Sequence, residues 1–151
     1  MLDDLDRRIL RHMQADPEES LPALAERLSL SPSRLTRRLD KLRETGVLRG
    51  QHATISWRAL GYEVEVSLRV TLDKTQPRAF DDFIEGARAI PEVIEIQTFL
   101  GRVDVRLSVI ARDMAHYQQI YRSGILALPH IADIEALMLV SRLKSDESLP
   151  L

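Results

Sequence analysis

LAERLSLSPSRLTRRLDKLRETGVL, residues 24–48, reads as two short helices meeting at a tight turn. The second helix has a start signal in Ser31 followed by Pro32, an oxygen acceptor for the first turn and then a residue whose missing N–H costs nothing there. Its stop signal is Gly46, free to adopt the left-handed conformation just past the helix end, with Val47 and Leu48 folding back. Leu35, Leu39 and Leu42 fall on one stripe at helical spacing. That stripe turns Ser33, Arg34, Arg37 and Lys41 outward and leaves Arg38 at its flank. Between Ser31 and Arg43 five cationic residues face Asp40 alone. The first helix carries Leu21, Leu24, Ala25 and Leu28 on one side, and small Ala25 lets two backbones cross closely. Such a crossing is what a helix-turn-helix needs to project its second helix into a major groove. Basic amphipathic helices are common as merely solvated faces. Here cap, turn, leucine stripe and charge agree within one window, which favours the helix-turn-helix.

Working outward, a first helix is expected from Asp3 to Ala15, with Leu5, Ile9, Leu10 and Met13 at helical spacing and Asp16-Pro17 ending it. Three helices thus precede Gly46. Val47 to Trp57 has extended character and is expected as a wing or a connecting strand. Beyond Gly61 the pattern changes. Val64, Val66, Leu68, Val70 and Leu72 alternate with Glu63, Glu65, Ser67, Arg69 and Thr71, the signature of a half-buried strand. Phe80, Phe83, Ile84 and Ala87 then mark a helix over 77–89, and a strand is expected over 93–100. Val103, Val105, Leu107 and Val109 alternate with polar residues in a third strand. A helix capped by Asp113 should run to Leu128, and 131–140 closes the order as a fourth strand.

IPEVIEI (90–96) recurs faintly as LPHIADI (128–134), displaced by 38 residues. Two strand-helix-strand units build a ferredoxin-like βαββαβ sandwich, with both helices on one face of a four-stranded antiparallel sheet. The fold class is therefore α+β. The expected organisation is a helix-turn-helix domain over 1–50, a connecting strand or hinge over 51–60, and a ligand-binding and oligomerisation domain over 61–151. The sheet's other face is expected to be covered by a partner subunit, a solvated face being the alternative.

Composition narrows the function. With 44% apolar and 29% charged residues the composition is that of an ordinary globular protein; no membrane span and no signal peptide are expected, and a cytoplasmic location is expected. It contains no cysteine, hence no disulfide or thiolate site. His12, His52, His116 and His130 lack the short spacings of metal ligation on one helix, so no metal and no cofactor are expected. The net charge of −2 hides an asymmetry. Residues 1–55 carry ten basic and nine acidic side chains, while 56–151 carry eleven and fourteen. Acids cluster at Asp3, Asp4 and Asp6, at a helix start where negative charge is favourable. Cation concentrated in one small patch implies modest DNA affinity per module and a need for more than one.

Over nearly its whole length the chain resembles the Lrp/AsnC family of bacterial and archaeal transcription regulators. The resemblance is carried by the opening LDDLDRRIL, by LAERLSLSPSRLTRRLDKLRETGVLRG, by the LGY before the first sheet strand, by IPEVIE, and by the Leu-Gly turn with Val103-Asp104. It implies an N-terminal winged helix-turn-helix and a C-terminal ferredoxin-like domain that dimerises through its sheet, with tetramers or octamers beyond. The partners implied are double-stranded DNA, further copies of the chain, and a small effector, commonly an amino acid. The recognition helix falls on 32–44. By resemblance Arg34, Arg37, Arg38 and Lys41 contact DNA, with Ser31 and Ser33 anchoring phosphates at its start.

The family's effector loop usually reads Gly-Asp-aromatic-Asp. Here it is Gly101-Arg102-Val103-Asp104, so Gly101 and Asp104 match while Arg102 replaces an acid and Val103 a ring. The reversed charge favours a carboxylate where an ammonium would sit. The expectation is either a different effector, such as an acid or an amino acid in another pose, or none. Ser29 departs too, standing where the interhelix turn usually has glycine. The closing Ser148-Leu149-Pro150-Leu151 resembles a subgroup that controls amino-acid catabolism. The rival reading is a ligand-sensing or protein-interaction module without specific DNA binding. No activated nucleophile, His-carboxylate pairing or phosphate-cradling glycine loop is recognisable, so the chain is not read as an enzyme.

Overall fold

The computed structural model describes residues 2–145 and 148–151. The chain divides into two compact units, Met1–Thr54 with Lys144–Leu151, and Ile55–Leu143.

The first unit holds α1 (Asp4–Ala15), α2 (Leu21–Arg27) and α3 (Pro32–Glu44). Asp3 opens α1 through a reciprocal capping box with Asp6, satisfying two N–H groups that a helix start leaves unpaired. Ser20 caps α2 and Ser31 caps α3, each accepting a backbone N–H. Ile9, Leu24, Ala25, Leu28, Leu35, Leu39 and Leu42 form the buried core. Leu21, expected on that face, is exposed.

The turn between α2 and α3 closes as a Schellman motif. Leu30 N donates to Ala25 O at 2.8 Å and Ser29 N to Glu26 O at 3.0 Å. This geometry requires a left-handed residue at position 29, and Ser29 adopts φ 56° there. At the far end of α3, Gly46 takes φ 71°, and Leu48 N returns to Leu42 O at 2.9 Å. Leu48 packs on the core, whereas Val47 is exposed. The expected wing or connecting strand is absent: residues 49–56 form neither helix nor strand, and a turn follows at 57–61. Extended character alone does not make a strand, because the ladder needs a second strand to pair with. The segment Leu149–Leu151 lies along α1. Gln14 exchanges hydrogen bonds with the backbone of Leu149, and the Arg11 guanidinium donates twice to Leu151 O.

The second unit is β1 (Val64–Leu72), α4 (Ala79–Arg88), β2 (Val93–Thr98), β3 (Val105–Ala111), α5 (Met114–Gln119), a π-helical turn (Ile120–Ile125) and β4 (Ile131–Met138). The sheet runs β2-β3-β1-β4 and every pairing is antiparallel, as expected for the ferredoxin-like order. Val66, Leu68, Val70 and Leu72 pack with β3 residues against Phe83 and Ala87 of α4 and against Tyr117, Ile120 and Ile125. A register shift between Val93 and Glu95 lets β2 turn both Val93 and Ile96 toward this core.

The helix expected from Asp113 to Leu128 does not run straight. After Gln119 it widens, with Leu126 N donating to Tyr121 O, five residues back. The Ser123 hydroxyl donates to Gln119 O at 2.6 Å, a backbone-directed bond that loosens a helix, and Gly124 follows it. Among the described residues no helix is long and apolar enough to cross a membrane.

Replacing Ser29 by glycine removes the cost of a left-handed Cβ. Ser29→Gly should raise stability by about 1 kcal/mol, measured as the shift in a urea unfolding curve.

Candidate nucleic-acid interface and effector loop

The leucine stripe of α3 decides which of its polar residues meet solvent. Leu35, Leu39 and Leu42 are buried, while Ser31, Ser33, Arg34, Arg37 and Lys41 are exposed. Among the described residues no ion pair engages the guanidiniums of Arg34 and Arg37 or the ammonium of Lys41. The hydroxyls of Ser31 and Ser33 stand 3.3 Å apart at the helix start, beside N–H groups suited to an anionic oxygen. Arg43 is paired to Asp40 at 3.1 Å.

Arg38 stands apart from this row. Its guanidinium reaches across to α1, bonding the Asp3 carboxylate and Asp6 at 2.9 Å. Asp6 is almost wholly buried at 3% exposure, whereas Arg38 is half-buried and Asp3 exposed. The backbone N–H of Asp6, then Arg38, holds the Asp3 carboxyl below its ordinary value, and the Asp3 bond raises Arg38 in return. Of the four cationic DNA-contact candidates, Arg38 is therefore the one held in an ion pair among the described residues. The signal was present in the sequence, since Arg38 lies at the stripe's flank, but its acidic partners are 32 and 35 residues away.

In the second unit the loop Gly101-Arg102-Val103-Asp104 joins β2 to β3. Asp104 does not point into the space beside Arg102. Its Oδ2 accepts from Leu72 N at 2.9 Å and its Oδ1 meets Lys74 Nζ at 3.1 Å. The Leu72 N–H, followed by Lys74, lowers its pKa. With Thr71 Oγ1 donating to Arg102 O, these bonds pin the loop to β1. Gly101, Arg102 and Val103 line an open depression of about 550 Å³ with Arg69, Gln97, Phe99, Leu100 and Arg106. Gly101 takes φ 154°, a conformation that side chains disfavour.

Arg69, Gln97 and Arg106 escaped the sequence reading. Alternation put Arg69 on the polar face of β1, yet only the strand register sets it opposite Arg106 of β3 and sets Arg106 opposite Gln97 of β2. The other end of this sheet face is covered by the chain itself. Arg142 bonds the buried Glu65 at 2.6 Å, and its guanidinium stands 5.8 Å from the Trp57 ring centre.

Comparison with known proteins agrees with both units. Residues 2–49 match a winged helix-turn-helix DNA-binding domain and residues 65–149 match the Lrp/AsnC ligand binding domain. The proline dehydrogenase transcriptional activator of Rhodobacter capsulatus is 33% identical, over 87% of this chain and 86% of its own. The transcriptional regulator AzlB of Bacillus subtilis is 28% identical over 100% and 96% of the two chains. A transcriptional regulator of Neisseria meningitidis, solved as an L-Met complex, superposes with a TM-score of 0.89 at 27% identity, covering 99% of this chain and 97% of that one.

Removing the Arg38 guanidinium leaves a buried carboxylate without its cation. Arg38→Ala should lower the melting temperature of the protein, whereas Arg37→Ala should not. A depressed aspartate stabilises the fold above its unfolded value and ceases to do so as pH falls through the folded one. The deficit of Arg38→Ala should accordingly be full at neutral pH and shrink below the ordinary aspartate value of 3.8, as followed by circular-dichroism melts across acid pH.

Proposed function

This chain belongs to the Lrp/AsnC family of transcription regulators, and on that premise we propose that α3 enters the major groove of its operator. It is a DNA-binding transcriptional regulator with a ligand-binding domain. The observation that carries the placement of the DNA face is the row of Arg34, Arg37 and Lys41, exposed above a buried leucine stripe and without an ion pair among the described residues. Arg34, Arg37 and Lys41 divide between guanine edges and phosphates, and Ser31 and Ser33 bind phosphate at the helix start. Arg38 holds α3 against α1 and so positions the reading helix without itself reading bases.

A single patch of this size binds weakly, so two heads act together. The polar face of the sheet, about Ser67 and Leu137, pairs with the same face of a second copy. Exposed Leu137, Val140 and Leu143 supply apolar surface for that contact or for larger assemblies. A twofold dimer calls for an inverted repeat with half-sites one helical turn, or a multiple, apart. The loop at 101–104 forms the effector site, and its ligand is an amino acid or a close relative. The proline dehydrogenase activator and the L-Met complex among the related proteins support a regulator of amino-acid metabolism. The effector acts only by binding two arrangements of the dimer with different affinity. We assign the protein no enzymatic role and place it in the cytoplasm with its DNA.

Arg34→Ala and Arg37→Ala should each weaken operator binding by about 1–3 kcal/mol if the side chain reads a base, or lower the salt slope by about one if it contacts phosphate. Gel shifts across a salt series separate the two roles. Unchanged affinity and slope in the double variant would refute this DNA face and leave the protein-interaction reading in its place.

A further inference from the structure

The register of the sheet sets two arginines directly opposite one another. Arg69 of β1 is the cross-strand neighbour of Arg106 of β3, an arrangement of like charges that by itself is unfavourable. Nearby carboxylates offset it incompletely. Glu135 approaches Arg69 only to 3.7 Å, and Glu95 takes one end of Arg106 at 2.9 Å while the buried Nε of Arg106 has no hydrogen-bond partner among the described residues. Arg102 brings a third guanidinium to the same depression, without an ion pair among the described residues. None of the eight residues lining this space is acidic. Asp104, the nearest loop carboxylate, is turned away to Leu72 N and Lys74.

The remaining walls are of another kind. Phe99, Leu100 and Val103 line the depression, and Phe99 and Leu100 are exposed. A ligand matched to this lining carries negative charge at one end and an apolar group at the other. An inorganic phosphate leaves the apolar wall unmatched, and a free amino acid brings an ammonium toward three guanidiniums with no lining carboxylate to receive it. We propose that the effector is an α-keto acid of an apolar amino acid, its carboxylate and keto oxygen held by Arg69, Arg102 and Arg106 and its side chain set against Phe99, Leu100 and Val103. Such a molecule is what transamination or oxidative deamination of an apolar amino acid yields, so the protein would sense the product of the first catabolic step. This inference rests on the loop at 101–104 being the effector site.

Calorimetric titration of the full chain with leucine, methionine and phenylalanine, each beside its own α-keto acid, tests it. At least one keto acid should bind about ten-fold or more tighter than its parent amino acid. Arg69→Gln should weaken that binding about ten-fold, the loss expected for a charge-assisted bond. Arg102→Asp, which supplies a carboxylate for an ammonium, should reverse the preference toward the amino acid. Melting curves of the unliganded variants check that the fold survives these surface changes. If an amino acid binds at least as well as its keto acid and Arg102→Asp or Arg69→Gln abolishes that binding, the keto-acid inference is overturned and the effector site stands. Binding insensitive to both substitutions, or no binding by any of the six ligands, overturns the effector site and the inference with it. Altered sedimentation of Arg69→Gln with ligand affinity unchanged would assign the arginine pair to a second copy's carboxylates and overturn the proposal also.

Discussion

The period-two alternation of β1 is the constraint on which the second unit depends. β1 is an interior strand, hydrogen-bonded to β3 on one side and to β4 on the other. Val66, Leu68, Val70 and Leu72 therefore set the core face for the whole sheet. A slip of one residue would carry Glu65, Ser67 and Arg69 beneath Phe83 and Ile125 and expose the valines and leucines to water. Burial of four apolar side chains against two helices makes that slip prohibitive. The same register that protects the core also aligns Gln97, Arg106, Arg69 and Glu135 across the opposite face, so core packing and the grouping of these polar side chains are consequences of one pairing.

In the first unit the corresponding constraint is the leucine stripe of α3. It fixes the rotation of the helix about its axis, and that rotation sorts the arginines. Arg34 and Arg37 fall away from the core. Arg38, one residue further, is carried to the boundary with α1, where buried Asp6 needs a cation. A residue type common at DNA interfaces is thus drawn into a structural ion pair by a rotation of about 100° per residue. The bonds of Arg38 to Asp3 and Asp6 join α3 to the start of α1, and loss of either partner would leave the other charge uncompensated.

The local departures from expectation share a cause. Extended composition at 47–57 yields no strand because no neighbouring strand is aligned to pair with it. The helix after Asp113 starts as its cap dictates, then widens where Ser123 turns its hydroxyl to the backbone of Gln119. Asp104 matches a family position, yet the fold uses it to pin the loop to β1. In each case a residue's nearest unsatisfied partner, supplied by tertiary packing or by the adjacent turn, outweighs the preference read from its type.

Much of this protein is legible in its residues alone, because caps, periodicity and turn chemistry act over a few positions. Asp3, Ser31 and Asp113 mark helix starts, Gly46 marks a left-handed turn, and the alternation of β1 and β3 with the faint repeat dictates a ferredoxin-like order. Which cation is free, which is paired and which guanidiniums meet are decided only by tertiary structure. Arg38 finds its partners 32 and 35 residues away, and Arg69 lies 37 positions before the Arg106 it faces. Strand register and helix rotation settle such distances through core burial, a collective property that no local stretch of sequence contains.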